Sequence, residues 1–331
     1  MSLPPQLIDR LTLPLVAAPM FLISGPSLVT ECCKAGVVGT FPALNQRSSE
    51  GLDQWLSEIN VELERFQKKT GITPAPYGVN LIVHKSNPRL EDDLAICVKH
   101  KVPLIITSLG AVSSVVDAIH SYGGLVFHDV INARHGKKAA SVGVDGLIAV
   151  SAGAGGHAGA INPLALVNEL RHFFDKTILL SGSLSTGSDI AAAQMMGADL
   201  AYMGTRFINT QECLAQNEYK TQITQANASD IVYTPAISGV HANFIKQSIE
   251  QAGLDLNSLE RPTSIDFGAE LDDALDSTDS YVAKPWKDIW SAGHGVGSIC
   301  DSPTTAKLIQ RLKAEYEQAH IAQSKKVDLL T

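Results

Sequence analysis

Eight short apolar runs lie between Leu15 and Gly204, separated by seven longer helical patterns. The runs are Leu15–Met20, Val37–Phe41, Tyr77–Ile82, Pro103–Thr107, Leu125–Asp129, Gly146–Val150, Thr177–Ser181 and Leu200–Gly204. They are continuous rather than alternating, which suits parallel strands buried on both faces. Helical patterns fill the gaps at 27–35, 52–69, 90–100, 112–121, 133–141, 163–174 and 187–196. Two helix exits repeat one phrase, Val142-Gly-Val-Asp-Gly146 and Met196-Gly-Ala-Asp-Leu200. Each reads as a glycine stop feeding the next strand. Regular β–α repetition predicts an α/β fold, a (β/α)8 TIM barrel. A doubly wound open sheet is the structural alternative.

The pattern changes after strand eight. Polar and acidic residues rise between Thr210 and Trp286, as in Asp272-Asp-Ala-Leu-Asp-Ser-Thr-Asp279. This predicts a barrel of residues 1–209 and 287–323 carrying a helical insertion, 210–286, packed on it. A last helix is expected over 304–320, with a frayed tail from Ser324.

The formal charge of −8 comes without a basic block, which argues against nucleic-acid binding. Uninterrupted apolar stretches fall short of the roughly 18 residues of a membrane span, and the first residues lack a signal-peptide pattern. Five cysteines form no CxxC pair and read as buried small hydrophobes in a reducing cytoplasm. Oligomeric state stays open, with a homodimer as the candidate assembly.

Barrel active sites gather at the C-terminal ends of strands, and the distinctive residues of this chain fall there. Pro19-Met20 ends strand one, Asn80 lies late in strand three, and His128-Asp129 ends strand five. Ser151-Ala-Gly-Ala-Gly-Gly-His157-Ala-Gly159 follows strand six. In that run glycines permit close backbone approach to a ligand, and His157 is a proton-handling group, an anion donor or a structural imidazole. Ser181-Gly182-Ser183 and Gly204-Thr205 end strands seven and eight, where barrels often bind phosphate through backbone N–H groups. Asn80, a buried amide in an apolar strand, needs partners such as a heterocycle's carbonyl and ring N–H. His128, His135 and His157 lack metal-ligand spacing.

These residues resemble the nitronate monooxygenase family, formerly 2-nitropropane dioxygenases. The carriers are Ala17-Ala-Pro-Met20, Gly78-Val-Asn80, Ala154-Gly-Gly-His157-Ala-Gly159, Ser181-Gly182, Gly197-Ala-Asp199, Met203-Gly-Thr-Arg-Phe207 and Trp290-Ser-Ala-Gly293. The resemblance implies FMN, with the isoalloxazine near Ala18, Pro19, Met20 and Asn80. It implies the phosphate near Gly182, Gly204 and Thr205, with Gly155 against the cofactor and His157 as the active-site histidine; Ser183 and Met203 are further candidates for cofactor contact. Where the best-known members carry a glutamine and a glutamate upstream of that histidine, this chain has Val150 and Gly153. A polar FMN contact is then missing or supplied elsewhere, and His128 is the candidate substitute.

The resemblance implies oxidation of a small nitronate or nitroalkane with O2. The alternative is an NAD(P)H-dependent flavin reductase of the same superfamily, acting on quinones or enoyl thioesters. It would need no separate GxGxxG module, and none follows a strand here. A flavin-free phosphate-binding barrel is the third reading.

Overall fold

The computed structural model describes residues 2–84, 86–255, 258 and 283–329. Eight parallel strands close into a barrel: β1 (Leu15–Ala17), β2 (Val38–Pro42), β3 (Tyr77–Ile82), β4 (Leu104–Ser108), β5 (Leu125–Val130), β6 (Gly146–Val150), β8 (Thr177–Ser181) and β9 (Leu200–Met203). The ring closes where Leu15, Val16 and Ala17 pair with Ala201, Tyr202 and Met203. The barrel expectation therefore holds.

Alternation along each strand sorts side chains into two layers. Leu104, Ile106, Leu125, Phe127, Ile148 and Leu179 fill the barrel interior. Their neighbours Ile105, Val126, Leu147 and Ile178 face outward against helix residues such as Leu56, Val115 and Leu166. This sorting decides which residues at the strand ends reach the mouth.

The repeated glycine–aspartate phrase has one structural job, done twice. Asp145 donates its N–H to Val126 O at 2.8 Å, and its carboxylate accepts Val126 N–H at 2.9 Å. Asp199 does the same with Ile178, at 2.7 and 2.9 Å. Each aspartate locks the strand that it precedes onto the strand before. Asp199 also accepts the Arg171 guanidinium, a cation tethered by Gly197 O.

Strand one stops at Ala17 rather than Met20. Ala18 still donates to Met203 O at 2.8 Å, but Pro19 has no N–H to continue the ladder. The C-terminal helix runs Thr305–Asp328, so the expected frayed tail is helical to Asp328. That stretch has no glycine or proline to stop it. The helix packs so closely on helix Gly187–Met195 that a Cβ at Gly187 would lie 2.0 Å from Leu312 O. Cys300 is exposed while the other four cysteines are buried.

The segment after β9 adds strands to its helices. Helix Asn217–Gln225 is followed by β10 (Ile231–Thr234), β11 (Ala242–Ile245) and helix Lys246–Gln251. β11 also pairs antiparallel with β7, the two residues Gly156–His157 inside the glycine-rich run. The acidic run 272–279 lies outside the described residues. Among the described residues no helix is long and apolar enough to cross a membrane.

Candidate active site

A cavity of about 710 Å3 opens at the C-terminal mouth of the barrel. Ala18, Pro19, Met20, Asn80, His128, Gly155, His157, Gly204 and Thr205 line it, as do Ser108, Asp129, Tyr202 and Trp286. Gly182, Ser183 and Met203 do not line it. Met203 points outward into a core cluster with Leu15 and Phe207, leaving Tyr202 as the inward residue of that strand end. The Ser183 N–H, read from sequence as an anion donor, is spent on Gly153 O at 3.2 Å.

His157 is held from several directions. Its backbone pairs with Ala242 in β11. The Asn243 amide donates to Ala154 O at 2.6 Å, and Ala158 N–H to His241 O at 3.2 Å. The indole of Trp286 meets the imidazole at nearly a right angle and also packs against Phe244. Burial pushes the His157 pKa down to about 4, so the ring is neutral at pH 7.

The glycine-rich run lies directly against the chain at Gly293. A Cβ at Gly293 would sit 2.5 Å from Gly153 O, and one at Gly155 would sit 2.9 Å from Gly293 N. Gly293 N–H donates to the Thr205 hydroxyl at 2.9 Å, joining strand-eight and strand-six ends through this third segment. Gly204 differs. A Cβ there would meet nothing nearer than Ala18 and Met20, at 3.7 Å. Its glycine keeps cavity space open rather than making room for backbone.

Three inward side chains on adjacent strands form a hydrogen-bonded chain. Asn80 Nδ2 donates to Ile106 O at 3.2 Å and to Ser108 Oγ at 2.8 Å. Ser108 Oγ donates to Asp129 Oδ2 at 2.5 Å. Asp129 Oδ1 is buried without a hydrogen-bond partner among the described residues, and burial raises its pKa to about 6.

His128 is the odd neighbour. It alternates with the inward Phe127 and Asp129, and its Nδ1 bonds Thr107 Oγ1 at 2.7 Å. It therefore belongs to the outward layer, where an arm of the cavity reaches His135 and Lys138. Burial, with help from those two residues, lowers its pKa to about 4. Asp129, Ser108 and Tyr202 were missed as site residues because the sequence singled out the more distinctive neighbour in two of the strands. Strand parity was the signal that finds them. Trp286 had no local signal.

A closed parallel barrel with a mainly apolar cavity at its C-terminal mouth, bordered by a glycine-bounded histidine and a few polar side chains, has the layout of a barrel enzyme. The family profile described as nitronate monooxygenase matches residues 5–315, and the chain belongs to that family. Its members are flavin-dependent oxidoreductases. A nitronate monooxygenase of Paraburkholderia phytofirmans is 24% identical, over 92% of this chain and 93% of that one. A 5-hydroxy-7a-methyl-1-oxo-octahydro-1H-indene-4-carboxyl-CoA dehydrogenase of Rhodococcus jostii is 26% identical over 75% of this chain, the match covering 65% of that longer protein. Among solved structures, the nitroalkane oxidase of Streptomyces ansochromogenes superposes with TM-score 0.79 at 22% identity, over 96% and 99% of the two chains. FabK of Thermotoga maritima superposes with TM-score 0.77 at 20% identity, over 97% of each.

The cavity fits a flavin. Gly204 leaves open the space that a Cβ would fill between Ala18 and Met20. Asn80 Oδ1 and Asp129 Oδ1 have no partner among the described residues. A ring edge rich in donors and acceptors would satisfy both.

Proposed function

We propose that this chain is an FMN-dependent nitronate monooxygenase that oxidises small alkyl nitronates, such as propionate 3-nitronate, with O2. The observation that carries the reading is the neutral, buried His157 held over a mouth lined by Asn80 and Gly204. Bound FMN supplies the electron transfer to and from substrate and O2. Ala18, Pro19, Met20, Asn80, Gly155 and Gly204 would hold the ring, and Thr205 the phosphate end.

His157 orients the substrate. With a pKa near 4 the ring is a weak base, poorly matched to removing a carbon-bound proton at pH 7. A neutral imidazole still has one N–H, which donates to an anionic nitro oxygen. The reading therefore favours a substrate that arrives as the nitronate over a neutral nitroalkane. Trp286 and the apolar wall exclude water from that hydrogen bond and so strengthen it.

The test is anaerobic. Purified protein with its bound flavin is mixed with propionate 3-nitronate in one cell and NADH in another. Loss of the oxidised flavin band with the nitronate alone supports the proposal. Bleaching by NADH instead moves the chain to a reductase activity, and a protein that takes up no flavin removes both.

A further inference from the structure

Whether Asp129 Oδ1 would donate to a bound flavin or accept from it depends on where the acid carries its proton. Asp129 is a carboxylic acid at the end of β5, inward-facing on its strand and lining the cavity, with Oδ1 buried and without a hydrogen-bond partner among the described residues. A buried ionised carboxylate without a counter-charge is costly, and Asp129 has neither lysine nor arginine in its hydrogen-bond set.

The polarity of its hydrogen bonds is determined from one end. A backbone carbonyl only accepts, so the contact with Ile106 O identifies the Asn80 nitrogen as Nδ2. That amide also donates to Ser108 Oγ, which leaves the serine's single proton for Asp129 Oδ2. Oδ2 is thus an acceptor, and any proton that Asp129 carries sits on Oδ1. The next strand offers nothing polar in compensation, since its inward residue at the mouth is Val150.

We propose that Asp129 is a flavin-positioning residue that acts as a neutral acid, its Oδ1–H donating a hydrogen bond to an acceptor on the polar pyrimidine edge of the bound isoalloxazine. This rests on the flavin reading and corrects the assignment of that contact to His128, whose ring lies in the outward layer. Asn80 and Ser108 set the direction of the proton. Burial favours the neutral form, and the serine hydrogen bond opposes it. The Tyr202 phenol, from β9 across the mouth, is the other titratable group beside Asp129, and it stays neutral at pH 7 because burial and the nearby carboxylate raise its pKa. His157 and His241 border the same cavity, with His128, His135 and Lys138 on its outer arm.

The experiment measures FMN dissociation constants by fluorescence quenching between pH 5 and 8, for wild type, Asp129→Asn, Asp129→Ala and Ser108→Ala. In the wild type, affinity should fall across this range as Asp129 ionises and a donor becomes a negative charge. Asp129→Asn keeps an N–H donor and cannot ionise, so its affinity should stay within a few-fold from pH 5 to 8. Asp129→Ala should bind at least tenfold more weakly than wild type at pH 5. Ser108→Ala removes a bond that favours the carboxylate, so its transition should move to higher pH. Circular dichroism of each apoprotein separates misfolding from weakened binding. If Asp129→Ala does not fold, the Asp129→Asn and Ser108→Ala profiles still decide. Wild-type affinity that is flat with pH, or an unchanged pH profile in Asp129→Asn, overturns the proposal while leaving the flavin reading intact. A wild-type protein that binds no FMN overturns both.

Discussion

The imidazole of His157 and the indole of Trp286 meet edge to face, with ring centroids 5.2 Å apart and planes at 87°. The indole thus restrains the imidazole ring. His157→Ala is expected to lower kcat/KM for propionate 3-nitronate by about a hundredfold or more, the usual loss for one donor to a developing or resident anion. Trp286→Ala should cost about tenfold by loosening the ring, and Trp286→Phe less. Full turnover by a flavin-loaded His157→Ala protein would remove the imidazole from the chemistry.

Two glycines of the site should respond oppositely to a methyl group. Gly204 has φ −102°, which alanine adopts, and open space beside it. Gly204→Ala should therefore keep the melting temperature and bind FMN at least tenfold more weakly. Gly293→Ala drives a Cβ to 2.5 Å from the Gly153 carbonyl. It should destabilise the apoprotein by about 1–3 kcal/mol, the range for overpacking. Thermal melts of the apoproteins with FMN titrations check both, and equal melting temperatures for the two variants would contradict the contrast.

Acid should destabilise the chain through its buried histidines. His128 and His157 have folded pKa values of about 4, against about 6.5 when unfolded. Above pH 6.5 neither state is charged and the pair contributes nothing to pH dependence. As pH falls from 6.5 to 4 the unfolded chain takes up protons that the folded chain refuses, and stability drops, by up to roughly 3 kcal/mol per ring. Asp129 runs the other way. Its raised pKa, about 6, makes the folded state the better proton binder between about pH 6 and 4. The two histidines outweigh it. Urea midpoints at pH 7 and 4.5 should show a net loss, reduced in His128→Gln. Equal losses in wild type and variant would refute the assignment.

Asp145 and Asp199 do the same backbone job with different partners. Asp199 is 3% exposed on its side chain and holds Arg171. Asp199→Ala leaves the Ile178 N–H without an acceptor and takes the carboxylate from Arg171, which keeps its carbonyl acceptors, an expected cost of about 2–3 kcal/mol. Asp145 is 20% exposed and pairs mainly with His120, so Asp145→Ala should cost clearly less. Chemical denaturation of the two variants at pH 7 gives the comparison, and a larger loss at Asp145 would reverse it.

The barrel was legible because its signals are local. Tyr77–Ile82, Gly146–Val150 and Thr177–Ser181 are strands with the bounds that their apolar runs predict. Each is buried on both faces and followed by a polar or glycine-bearing turn. The cavity was legible where residue type was unusual for its place, as with Asn80 in an apolar strand. It was illegible where one step of parity decided the facing, at His128 against Asp129. The clamp on His157 was beyond local reading. A two-residue strand leaves no periodicity, and its partner Ala242 lies far along the chain.

That clamp has a consequence for how the molecule is made. Synthesis completes the eight barrel strands at Met203, yet the segment presenting His157 still lacks its partner strand at 242–245, the Trp286 indole and the Gly293 backbone. On the ribosome the scaffold precedes its chemistry, and the histidine is positioned only when the segment from Ala242 to Gly293 folds back over it.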